Sequence, residues 1–162
     1  MAIIYRKTAV QPPGGAERRV VDRGNRMRGC LALLFVAAAG PAFAGADDAK
    51  GLWLTAAKDS VIRFEPCADK AGALCGTIVW DKDAGTPTDT CGVRVAELTR
   101  YDGEAWRDGW IFDPRDSKKY SGAVRVGGGA LQMRAFMGVE MLGQTETMTR
   151  VRTLPPKPVC KS

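Results

Sequence analysis

The strongest constraint on the fold is a rhythm of short β-forming runs, each broken by turn residues. "GLWLTAA" (51–57) gives way to "KDS", then to "VIRFEPC" (61–67), where Val61, Arg63 and Glu65 alternate with Ile62 and Phe64. A period of two puts successive side chains on opposite faces of a strand. "ADKAGA" makes the next turn and "LCGTIVW" (74–80) the next run, followed by a polar loop, "DKDAGTPTDTCG". "VRVAELTRY" (93–101) fits either a strand or a short helix. "EAWRDGWIFD" (104–113) reads as a strand with a bulge at Gly109. "KKYSGAVRV" (118–126), "ALQMRAFM" (130–137) and "ETMTRVRTL" (146–154) follow, with "GGG" (127–129) as a tight hairpin connection. "GVEMLGQT" (138–145) either extends a strand or bends across an opening, and "PPKPVCKS" cannot continue a sheet because proline lacks the donor.

Such runs recur about every ten residues, which is the spacing of an antiparallel sandwich or barrel. Closure into a barrel also removes exposed strand edges. The expected fold is all-β: a small antiparallel β-barrel of about eight strands, with at most one short helix.

The N-terminal part reads differently. Arg6, Lys7, Arg18, Arg19, Arg23, Arg26 and Arg28 precede an apolar run, "CLALLFVAAAG" (30–40), and then Ala42-Phe43-Ala44. This is the layout of a signal peptide: basic region, short apolar region, A-x-A cleavage site. The apolar run is too short to span a bilayer. Residues 1–44 are therefore expected to be removed, with translation starting at Met1 or at Met27, and residues 45–162 to form a single periplasmic domain without a transmembrane segment. Arg18-Arg19 lies too far from the apolar run for a twin-arginine signal, and Cys30 is not at the cleavage site, which argues against a lipid anchor.

Export changes the charge. The whole chain carries a net +6, but the expected mature part holds 17 basic and 16 acidic residues, net +1. The basic balance belongs to the leader, so it is not a nucleic-acid footprint.

Four cysteines remain after cleavage: Cys67, Cys75, Cys91 and Cys160. An even count in an exported chain points to disulfides, with three pairings open. Cys67–Cys75 and Cys91–Cys160 is the favoured set. The first closes a hairpin and the second ties the C-terminal tail to the body. A metal site is disfavoured, because there is no C-x2-C spacing and no histidine. The absence of histidine also removes Ser-His-Asp triads, Cys-His dyads and imidazole ligands. No cofactor is expected.

Gly51-Leu52-Trp53 opens the first run and Thr149-Arg150 lies in the last. In lipocalin-like barrels a G-x-W on the first strand is often met by an arginine of the last. The indole plugs the floor and the guanidinium covers it. Trp53 and Arg150 are the candidates here. Taken in order, "GLWLT", "SVIRFEPC", "LCGTIVW", "CGVRV", "GWIFDPRDSKKYSGAVRV", "LQMRAFMG" and "LGQTETMTRV" resemble the secreted bacterial family called domain of unknown function 2147. The resemblance implies a small periplasmic barrel of lipocalin or fatty-acid-binding-protein type, and no established activity. Family members often carry tryptophan where this chain has Met148, which implies a softer lining at that position.

"GWIFDPRDSKKYSG" (109–122) raises the question of a site. Asp113 and Asp116, helped by Lys119 or Tyr120, are carboxylates of the type that acid–base chemistry uses. Beside Pro114, however, they read as turn formers, and no catalytic residue is assigned. Asp81, Asp83 and Asp89 could ligate Ca²⁺, but the EF-hand spacing is missing. The leading expectation is a binding module for a small hydrophobic or lipid-like ligand. Its lining would be drawn from Trp80, Trp110, Phe112, Tyr120, Met133 and Phe136, with Arg134 as an anchor for a carboxylate or phosphate. Alternation lets only one of Met133 and Arg134 face inward. The alternatives are a filled barrel that engages another envelope protein, and a hydrolase using carboxylates alone.

Overall fold

A computed structural model describes residues 45–161; the expected leader, 1–44, lies outside the described residues. Nine strands form one sheet: β1 (Gly51–Leu54), β2 (Ser60–Pro66), β3 (Leu74–Asp81), β4 (Arg94–Leu98), β5 (Arg100–Tyr101), β6 (Trp106–Asp113), β7 (Lys118–Gly127), β8 (Ala130–Phe136) and β9 (Gln144–Val151). Every pairing is antiparallel, in the order β4-β3-β2-β1-β9-β8-β7-β6-β5, and β4 also pairs with β6. That last pairing closes the ring. β4 and β5 keep one register against β6, Ala96 opposite Ile111 and Tyr101 opposite Trp106. They are two halves of one strand interrupted at Thr99, so the barrel has eight staves. The segment 93–101, which fitted helix or strand by pattern, is strand. The described residues hold two 3₁₀ turns, Ala46–Ala49 and Glu140–Leu142, and no α-helix.

The turns follow from local chemistry. Gly128 and Gly129, with φ of 60° and 80°, connect β7 to β8 between paired Gly127 and Ala130. Two consecutive left-handed residues match the twist of the strands. On β6 the register shifts between Trp106 and Gly109, and Asp108 has a φ of 58°. The bulge expected at Gly109 thus begins just before it. Gly109 itself is required by a close approach: a Cβ there would lie 1.8 Å from the Glu97 carbonyl oxygen.

One end of the barrel is filled. Trp53, Phe64, Leu74, Leu98 and Leu131 are fully buried there. The Trp53 indole N–H donates to the Ala49 carbonyl at 2.8 Å, and the Arg150 guanidinium stacks over the ring at 4.1 Å. Arg150 also donates to the Lys50 carbonyl at 2.8 Å and to that of Asp48. Gly51 makes room for it, having a φ of 117° and a virtual Cβ 2.7 Å from the arginine's Nη1. The 3₁₀ turn Ala46–Ala49 is in this way held under the barrel as its floor.

Cys67–Cys75 joins the ends of β2 and β3, and Cys91–Cys160 joins the β3–β4 loop to the C-terminal tail. Val151 pairs with Leu52, while Gly92 donates its N–H to Ile78. The tail therefore runs from the floor up the outside of β1 to β3. Val61 and Trp80, register partners on β2 and β3, are buried on that side and stand apart from the core cluster.

Candidate functional site

The other end is open. A cavity of about 690 Å³ lies between four loops: β1–β2, β3–β4, β6–β7 and β8–β9. Its depth is set by the alternation of each strand. Ile62, Ile78, Val95, Ile111, Met133 and Met148 form an apolar bottom above the filled half. Met148 is completely buried, so the position where the family resemblance suggests tryptophan does belong to the lining.

One inward step above this bottom the chemistry changes. Glu146 lies two residues from Met148 on β9, and Asp113 two residues from Ile111 on β6. Asp81 ends β3 beyond a register shift that follows Ile78, opposite Ser60. Asp59 precedes Ser60, and Asp116 tops the β6–β7 turn. All five line the cavity.

Each is oriented by a nearby donor. Asp113 accepts from Arg115 Nε at 3.0 Å and Nη2 at 3.1 Å, and from the Arg115 backbone N–H at 2.9 Å. The guanidinium holds the carboxyl below the usual range, against the opposing effect of burial. Burial pushes Asp81 up. Hydrogen bonds from the Thr90 hydroxyl and from the backbone N–H groups of Asp83 (2.8 Å) and Thr90 (2.9 Å) outweigh it and bring the pKa below normal. The Tyr120 hydroxyl and the Lys118 N–H donate to Asp116, and that bond raises the tyrosine's pKa. Asp59 accepts from the Thr55 hydroxyl at 2.7 Å, and Glu146 from the Ala56 N–H at 2.9 Å. Arg115 has a raised pKa, first through its hydrogen bond and charge pairing with Asp113; the charges of Glu146 and Asp59 add to this across the mouth.

The expected lining divides. Tyr120 and Met133 face inward and line the cavity, while Phe112 and Phe136, half-buried, border its mouth. Trp110 does not contribute. Ile111 takes the inward face of β6, so Trp110 points outward, where the Lys119 ammonium sits 4.0 Å from its ring centroid. Trp80 is buried outside the core, its indole N–H without a partner among the described residues. Arg134 is not an anchor either. It lies on the outer face of β8 and donates to the carbonyls of Glu140 (2.7 Å) and Met141 (2.8 Å) and to the Thr145 hydroxyl. Met133 is the inward member of that pair. Asp113 and Asp116 make the corner of a hairpin, and Asp89, the third residue of the Ca²⁺ expectation, accepts loop N–H groups from Gly85 and Cys91. The acidic ring as a whole went unread, because each aspartate looked like a turn former. The one signal available was Glu146 in phase with Met148.

Within the segment 138–145, the part before β9 neither continues a strand nor spans the opening; it folds back against the outer face of β7 and β8. Arg107 and Arg125 both bind Glu140, the latter at 2.8 Å, and with Arg134 they latch the 3₁₀ turn to the outside of the barrel. Met137 and Leu142 from this bend reach the mouth.

The family model described as "Uncharacterized protein conserved in bacteria (DUF2147)" matches residues 51–150, and the chain belongs to this family. Among solved structures, the chain is similar to one described as protein HP1028 from the human pathogen Helicobacter pylori, belonging to the lipocalin family. The TM-score is 0.46 at 15% identity, over 64% of this chain and 83% of that one. No curated protein matches the chain.

Proposed function

We propose that this is an exported periplasmic protein whose barrel carries or senses a small apolar or amphipathic ligand. One observation carries the reading: a barrel filled at one end and open at the other to a cavity of about 690 Å³ with an apolar bottom. Pockets of roughly 300–1,000 Å³ with mostly apolar walls and a few placed polar groups are where small molecules bind. Export is supported by the basic stretch, the apolar run at 30–40 and Ala42-Phe43-Ala44. Two disulfides fit an oxidising compartment. Native mass spectrometry of protein purified from a bacterial periplasm tests both parts. The expected result is a chain beginning at Gly45 with an added mass that is lost on organic extraction. An uncleaved chain would overturn the export reading. A clean apo mass that no added amphiphile changes would overturn the ligand reading.

A second reading, an interaction module of the cell envelope, is favoured by the bend at the mouth. Met137, Val139, Met141 and Leu142 are exposed there within six residues. Larger exposed apolar patches mark sites of contact with proteins or membranes. This reading expects in-cell cross-links from a photoreactive residue at position 141. It falls if such links form no more often there than from a polar position on the opposite end.

A further inference from the structure

The cavity has an apolar bottom and a charged rim, and the sign of that rim is lopsided. Among the described residues that line it, Asp59, Asp81, Asp83, Asp113, Asp116 and Glu146 are acidic, and only Lys82 and Arg115 are basic. Both cations are already engaged. Lys82 pairs with Asp83 at 3.0 Å and Arg115 with Asp113 at 3.0 Å. Four carboxylates therefore stand over the cavity in no ion pair. Their hydrogen-bond partners are hydroxyls and backbone N–H groups from Thr55, Ala56, Asp83, Thr90, Lys118 and Tyr120. Neutral donors fix where a carboxylate points and leave its charge in place.

Three other arginines are held away from the cavity. Arg134 and Arg125 hold the bend from outside the barrel, and Arg150 covers Trp53 at the far end. Among the described residues that line the cavity, none at its apolar bottom is cationic. An anionic head in the mouth would meet like charge in a partly desolvated site, where repulsion is larger than in bulk water. A cationic head would meet four oriented acceptors, with its apolar tail directed at Met133, Ile111 and Met148.

Building on the ligand reading above, we propose that the cavity takes amphiphiles with a positively charged head, of the alkylamine or alkylammonium class, and discriminates against fatty-acid anions. The apolar bottom supplies affinity for the tail. The carboxylate collar, with Glu146 and Asp59 on opposite sides of the β1–β9 seam, selects the head.

The test is calorimetric titration of the purified mature protein at pH 7 and low salt. Three probes share a twelve-carbon tail and are used below their micelle concentrations: dodecyltrimethylammonium, dodecanol and dodecanoate. The ammonium should bind about tenfold or more tighter than the alcohol, and the carboxylate more weakly than either. The preference should shrink as ionic strength rises, since part of the rim is open to solvent. In the Glu146→Gln and Asp59→Asn double variant, each amide keeps an acceptor oxygen for Ala56 or Thr55. The ammonium-to-alcohol ratio should then fall several-fold, and an unchanged thermal unfolding midpoint would report that the fold is kept. Equal or tighter binding of dodecanoate overturns the head-group inference and leaves the ligand reading standing. Binding of none of the three overturns both.

Discussion

Arg150 and Trp53 face each other across the seam between the first and last strands, guanidinium over indole at 4.1 Å, and are direct register partners. The contact does more than seal a barrel. Arg150 also binds two carbonyls of the 48–50 segment, and Trp53 binds a third at Ala49. These two side chains thus convert an N-terminal turn into a floor.

Removing the guanidinium should loosen that floor. Arg150→Ala forfeits two charge-assisted hydrogen bonds and the ring contact, and is expected to cost about 2–4 kcal/mol. Arg150→Lys should recover only part of this, because an ammonium cannot serve the ring and two carbonyls in one plane. Gly51→Ala should be comparably harmful, since alanine both disfavours a φ of 117° and crowds Nη1. Urea denaturation with unchanged slopes checks all three. A loss below about 0.5 kcal/mol for Arg150→Ala would mean that water replaces it adequately.

The two disulfides should differ in worth. They close loops of sequence separation 8 and 69. Loop entropy gives about 2.6 kcal/mol for the short one and about 4.4 for the long one. Serine pairs at 67/75 and 91/160 should therefore destabilise in that order, measured by the same denaturation. Losing Cys91–Cys160 also frees the tail along β1 to β3. Trp80 fluorescence should then shift to the red in the 91/160 variant and not in the other.

Acid stability follows from four depressed carboxyls. Asp102 is lowered by the N–H groups of Ala105 and Glu104 and then by Arg107; Asp113 by Arg115; Asp69 by Arg94; Asp81 by Thr90 and Asp83 against burial. A carboxyl depressed on folding adds stability that is fully present above its unfolded value, about 3.9, and disappears as pH falls through the folded one. Thermal stability should therefore hold level near neutrality and decline below about pH 4. Tyr120 behaves oppositely. Its raised pKa adds stability below the unfolded value, about 10, that is lost as pH climbs through the folded value. Absorbance titration near the tyrosinate band should show one late-titrating tyrosine, returned towards normal by Asp116→Asn. A normal titration in the parent protein would count against the Tyr120–Asp116 bond.

The fold was far more legible in the sequence than the site. Turn residues mark where strands stop, and the G-x-W and terminal arginine identify the seam, because both depend on local chemistry. Alternation says which residues share a face and leaves open which face is inside. Alternation puts Trp110 and Phe112 on one face of β6 and Ile111 on the other, and it is Ile111 that takes the interior. Register shifts then break the period where it matters most. The one near Ile62 and Ile78 puts Trp80 outside and Asp81 inside. A tryptophan can pack without lining the cavity: Trp80 is buried outside the core cluster, and Trp110 is half-buried beside a lysine. The acidic collar arises from four separate segments, and nothing local to any one of them announces the ring.

The collar and the bottom can be separated by filling the space between them. Ala135 faces inward on β8 between Met133 and Met137, is only half-buried, and lines the cavity. A tryptophan there would project into open volume, not into packed atoms. Ala135→Trp should leave stability within about 1 kcal/mol, since overpacking costs arise only where the site is already full. It should also occupy a large share of the space available to an alkyl tail. Binding of dodecanol should drop at least about tenfold, since each displaced methylene forgoes about 0.8 kcal/mol of burial. The ammonium and the alcohol should lose affinity together, with their ratio preserved, because the rim carboxylates are untouched. If only the ammonium weakens, the tail does not enter the barrel and the cation is held at the surface alone. If neither weakens, the amphiphile binds elsewhere, and the exposed apolar bend at Met137–Leu142 becomes the place to look.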